Sequence, residues 1–124
     1  MVHYIPAIFC TGLILWLSVT SGTNFPESFK DLFSYDKLGH AFAYGILSAS
    51  YFYAIRQSKR VLTIKKMIYV CLGTILYGIL LEFVQYLFFP GRYFEVLDIL
   101  ANIMGIVISF LIFKQLIIFK TTAP

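Results

Sequence analysis

Apolar residues along the chain fall into four runs separated by short polar stretches. Residues 4–20 carry no charge, and residues 38–55 carry one ionisable group, His40. Residues 67–89 carry one charge, Glu82. Residues 96–113 carry one charge, Asp98, and their apolar character continues to Phe119. About 20 residues of helix cross the roughly 30 Å hydrocarbon core of a bilayer. In lipid the backbone must satisfy its own hydrogen bonds, so each run predicts a membrane-spanning helix. Gly12, Gly45, Gly73, Gly78 and Gly105 lie inside these runs. Small residues suit helices that pack closely in a membrane. The expected fold is an all-α membrane protein, a bundle of four transmembrane helices.

Composition supports this. Of 124 residues, 60% are hydrophobic and 13% are charged, against about 25% charged in ordinary soluble domains. Too little polar sequence remains to coat a soluble fold of this size. A disordered chain and a disulfide-rich secreted module are excluded as well. Cys10 and Cys71 both lie in apolar runs and read as small core residues. Residues 4–20 read as a retained helix, because no basic region precedes them and no clear A-x-A cleavage site follows. Residues 21–35 form the longest loop, and their four aromatics leave room for a short interfacial helix.

Charge placement orients the bundle. Arg56, Lys59, Arg60, Lys65 and Lys66 lie between the second and third runs with no acid among them, and Lys114 and Lys120 follow the fourth. Positive loops stay cytoplasmic, so both termini and the basic loop are expected inside. The loops after the first and third runs are expected outside. The net charge of +4 then needs no nucleic-acid partner, and the basic loop suits a surface of anionic lipid.

The remaining polar residues gather at the outer end. Asp36, His40 and Tyr44 step by four along one helix, beside Lys37. Glu82 and Gln85 are three apart near the end of the third run. Arg92 and Glu95 lie in the outer connection. Glu95, Asp98, Asn102, Gly105 and Ser109 then form one polar and small face of the fourth helix. Asp36, Lys37, Arg92 and Glu95 are open to a plain reading as interfacial charges. His40, Gln85 and Asn102 are open to one as interhelical hydrogen-bonding residues. Glu82 and Asp98 are harder to explain so, because a carboxylate inside a membrane marks function by default. They are expected to pair with Arg92, Lys37 or His40.

The pattern Asp36-Lys37-x-x-His40-x-x-x-Tyr44, then Glu82-x-x-Gln85, then Arg92-x-x-Glu95-x-x-Asp98-x-x-x-Asn102-x-x-Gly105 resembles the VanZ-like family. The resemblance covers roughly residues 36–109, and the chain reads as a single VanZ-like domain over residues 1–124. Two positions depart from the family. Ala41 follows the histidine where Phe is common, with Phe42 next, and Glu95 stands where Asp is common. The resemblance implies a small multi-pass protein of the bacterial cell membrane, in a family named for teicoplanin resistance.

Three functions fit these residues. The first is binding or protection at the outer leaflet, where a lipid-linked cell-wall precursor or a lipoglycopeptide would be the partner among membrane lipids. Lys37 and Arg92 would contact phosphate, with Gln85, Asn102 and Tyr44 completing the binding set. The second is an intramembrane enzyme whose candidate catalytic residues are Glu82, Asp98, His40 and Asp36. No zinc or phosphate-loop signature assigns a metal or cofactor. Asp36, His40, Glu82 and Asp98 could nevertheless hold a divalent ion against a phosphate. The third is a small proton-coupled transporter, which the absence of a visible polar lining in the cytoplasmic half disfavours.

Overall fold

The computed structural model describes residues 1–20, 36–58 and 60–122, with side chains for 1–20, 37–58 and 60–118. The described residues form four α-helices and no strands: α1 (Ile5–Thr20), α2 (Asp36–Gln57), α3 (Ile64–Phe88) and α4 (Val96–Thr122). A single 3-10 turn, Val2–Tyr4, leads into α1. The interfacial helix expected within residues 21–35 lies outside the described residues, as do the side chains of Asp36, Lys59 and Lys120.

The observed helices differ from the expected runs mainly where charge was taken as an end. α3 begins three residues earlier than its apolar run, because Thr63 caps it: the Thr63 hydroxyl accepts from the Lys66 backbone N–H at 3.3 Å. Lys66 also donates its Nζ to the Val61 carbonyl at 2.6 Å. α4 continues past Lys114 to Thr122, since lysine is a good helix former.

Three of the helical stretches, Val2–Thr20, Ile64–Phe88 and Val96–Ile118, are long and apolar enough to cross a membrane. α2 has the length, 22 residues or about 33 Å at 1.5 Å per residue, but a more polar composition. Its position explains the difference. α2 is the central helix, packed along α4 over most of its length and also against α1 and α3. Its Tyr44, Leu47, Ser48, Phe52 and Ala54 are buried. The three outer helices turn their large apolar residues outward, among them Phe9 and Trp16 of α1, Leu72 and Leu76 of α3, and Met104 and Leu111 of α4. Meanwhile Ser48, Thr74, Glu82, Gln85, Asp98, Asn102 and Ser109 are buried. Polar inside and apolar outside is an arrangement that lipid tolerates and water does not.

Glycine sets the spacing of α2 and α4. A Cβ on Gly105 would overlap the Ala41 carbonyl carbon at 2.7 Å, and one on Gly45 would meet the Gly105 carbonyl oxygen at 3.1 Å. Gly78 of α3 plays the same part beside the polar residues, since a Cβ there would lie 2.9 Å from Asn102 Nδ2. Gly12 and Gly73 have nothing within 4 Å, so only some of the glycines serve close packing.

α1 is tied in by hydrogen bonds as well as by packing. Tyr77 Oη donates to the Thr11 carbonyl at 2.7 Å, and the Thr11 and Tyr51 hydroxyls lie 3.1 Å apart. Tyr77→Phe removes the first of these and is expected to cost about 1 kcal/mol. Hydrogen exchange checks this: α1 amides should exchange faster than in the wild type while α2 and α4 amides keep their protection. Unchanged α1 exchange would count against an anchoring role for Tyr77.

Candidate functional site

The site is built where the chain reverses between α3 and α4. Phe89 precedes Pro90, which disfavours helical backbone at Phe89, and Phe89 is extended at φ −119° and ψ 106°. Gly91 then takes φ +85°, a conformation open to glycine without strain. The Arg92 backbone N–H donates to the Phe89 carbonyl at 3.2 Å, closing a tight turn. Three residues later the Glu95 carbonyl receives the first α4 amides, Asp98 N–H at 3.1 Å and Ile99 N–H at 3.5 Å. This reversal folds the start of α4 back against α3. The Glu95 backbone N–H therefore donates to Glu82 Oε2 at 3.4 Å.

α2 supplies the opposing wall. Lys37 Nζ donates to Glu95 Oε2 at 2.6 Å and to Asp98 Oδ1. Both acceptors are carboxylates, and opposite charges at this range favour the charged form of the lysine. Lys37 is therefore an ammonium at any physiological pH. One turn along α2, His40 Nδ1 lies 3.1 Å from Asn102 Oδ1, and His40 Nε2 lies 3.6 Å from Asp98 Oδ2. One turn further, Tyr44 is buried, its ring 6.4 Å from that of Tyr77.

The expected residues thus divide. Lys37, His40, Asp98 and Asn102 are brought into direct contact, as their spacing on α2 and α4 leads one to expect. The face of α4 through Asp98, Asn102, Gly105 and Ser109 is buried along its length. Asp98 pairs with Lys37 and faces His40. Glu82 is buried at 3% exposure and receives the Glu95 backbone N–H. Ligand atoms of His40, Glu82 and Asp98 all lie within 4.8 Å of one another. Gln85 is turned elsewhere: its Nε2 donates to the Ser18 carbonyl near the end of α1 at 2.9 Å. Arg92 is half-buried in the α3–α4 connection, and Asp36 begins α2 with its side chain outside the described residues.

Glu95 is the residue whose part the sequence understated. It reads equally as an interfacial charge, and its side chain is half exposed at 51%, yet it shares Lys37 with Asp98. The signal available was its place three residues before Asp98 on a helix face aimed at α2. Gly78 is a second such residue. Its lack of a side chain makes room for both Asn102 and Tyr44, and only the register between helices reveals that.

No curated protein and no solved structure significantly matches the chain. A family profile described as VanZ/LLP1 does match, over residues 3–120, nearly the whole length. A multi-pass membrane protein with ionisable residues collected at one end of an apolar bundle, the chain belongs to the VanZ/LLP1 family.

Proposed function

We propose that the protein binds the phosphate-bearing head group of a lipid-linked cell-envelope molecule, at a site formed by the beginning of α2, the end of α3 and the beginning of α4. The observation that carries this reading is the convergence of Lys37, His40, Asp98 and Asn102 beside buried Glu82. Ionisable groups are costly in a bilayer and mark binding or relay sites there. All four helices cross the membrane in this reading, both termini face the cytoplasm and the site faces the outer leaflet of a bacterial cell membrane. The basic residues between α2 and α3 support that orientation. Arg92 offers a bidentate contact to phosphate, and Lys37 offers a point charge. A phosphate reaching Lys37 exchanges with Glu95, the exposed member of the pair. Shielding a lipid-linked cell-wall precursor in this way, or engaging a lipoglycopeptide, would yield teicoplanin resistance.

One further observation favours a second reading, metal-assisted chemistry on the same head group. If His40 donates its Nδ1–H to Asn102, a neutral ring turns the Nε2 lone pair toward Asp98. Two lone-pair carriers facing each other call for a proton or a cation between them. Imidazole and carboxylate together suit a divalent transition ion or magnesium. Glu82, Asp98 and His40 would hold it, and the ion would polarise a bound phosphate.

Binding of a polyprenyl diphosphate to the purified full-length protein tests both readings. Arg92→Gln is expected to weaken retention about tenfold or more, since loss of one charge-assisted pair costs roughly 1.5–3 kcal/mol. Unchanged retention refutes the binding reading. In the second reading retention rises with added Mn²⁺ or Mg²⁺, and Glu82→Gln removes that dependence; indifference to both ions excludes it.

A further inference from the structure

A cavity of about 560 Å³ lies at the opposite end of the bundle from the carboxylates, between α1, α2 and α3. The sequence shows no polar lining there, because tyrosine and threonine count among apolar neighbours in a hydropathy pattern. The structure places the hydroxyl-bearing Thr11, Tyr51 and Tyr77 along its wall, with Leu47, Val70 and Gly73 beside them. Arg60 and Lys66 also line it, and among the described residues no acidic one does. The volume falls within the roughly 300–1,000 Å³ of small-molecule sites.

We propose that this cavity binds an anionic phospholipid from the leaflet bordering the α2–α3 connection. Two observations choose that occupant. Arg60 and Lys66 supply two positive charges with no carboxylate among the lining residues, which is the complement of a phosphate. The Leu47, Val70 and Gly73 surface is apolar and suits an acyl chain. The walls are helices that border lipid on their outer faces, so a lipid reaches the cavity without leaving the bilayer. The cations are residues of the segment that sets the orientation of the bundle. They therefore serve as a specific contact as well as a topological signal.

The test measures lipid bound to the purified full-length protein by native mass spectrometry, after exposure to phosphatidylcholine vesicles containing phosphatidylglycerol. Phosphatidylglycerol is expected to be retained over phosphatidylcholine. The double substitution Arg60→Gln/Lys66→Gln should reduce it about tenfold or more, as two cations near a lipid surface contribute roughly 1 kcal/mol each. Gly73→Leu has open space at its Cβ, so it fills the cavity without disturbing a neighbour and should cause a comparable loss with every charge intact. The double substitution Arg56→Gln/Lys65→Gln removes the same charge outside the cavity lining and should leave retention unchanged. Helicity by circular dichroism and elution volume establish that each variant is folded. Equal loss in the two charge variants would reduce the effect to general surface attraction and overturn the proposal. So would full retention in Gly73→Leu, or displacement of the lipid by millimolar inorganic phosphate.

Discussion

Lys37→Met is expected to destabilise the protein more than Asp98→Asn does, although the two side chains share one ion pair. Asp98 is buried, with 9% of its side chain exposed, whereas 42% of the Lys37 side chain is exposed. Removing the lysine leaves Asp98 facing Glu95 and Glu82 with no ammonium to balance them. A stranded buried charge costs about 3 kcal/mol at the lower end of such cases. Removing the aspartate leaves Lys37 with Glu95 at 2.6 Å and with access to water or lipid phosphate. The loss there is about 1 kcal/mol, the worth of one hydrogen bond. Lys37→Met/Asp98→Leu should recover much of the deficit, because an apolar pair of similar bulk leaves no charge to solvate. Unfolding in mixed micelles, followed by far-UV circular dichroism, checks the order. Equal losses for the two single variants would show that burial of Asp98 does not govern the pair.

Gly105→Leu is expected to abolish binding at the polar site and to destabilise the bundle. The Gly105 Cα sits so near the Ala41 carbonyl that even a methyl group has no space. α2 and α4 must then separate, and overpacking of this kind costs roughly 1–3 kcal/mol. The consequence for the site is larger than the energy implies. Every contact among Lys37, His40, Asp98 and Asn102 bridges these same two helices, so a shift of about 1 Å lengthens all of them together. Gly12→Ala is the contrast. Nothing lies within 4 Å of its Cβ position, and alanine is the better helix former by about 1 kcal/mol. It should leave binding intact and stability equal or higher. Polyprenyl diphosphate retention and thermal unfolding of both variants decide the matter; intact binding in Gly105→Leu would refute the dependence of the site on this approach.

The helical pattern was legible because lipid makes hydropathy a direct report of burial for a helix on the outside of a bundle. It was least legible for α2, whose Lys37, His40, Ser48, Ser50 and Arg56 dilute the apolar signal. Of these, Ser48 is fully buried by protein, and Lys37 and His40 face α4. The grouping of Lys37 and His40 with Asp98 and Asn102 was readable from stepping by three and four along two helices. The destination of Gln85 was not, since its acceptor is the backbone carbonyl of Ser18, and a carbonyl has no sequence signature. Glu82 is the intermediate case. Its burial follows from its setting, while its backbone partner depends on how sharply residues 89–95 turn. The tyrosine- and threonine-lined cavity escaped notice for a third reason, that an aromatic hydroxyl is counted with the greasy part of its ring.

The central place of α2 bears on how the protein is made. Synthesis runs from the amino terminus, so α2 is complete before any of α4 exists. Yet Lys37 and His40 of α2 reach Asp98 and Asn102, which belong to α4. Alone in hydrocarbon those groups would be poorly housed. Until α4 is made, those groups of α2 lack these partners. The last of the four described helices thus completes the burial of the second.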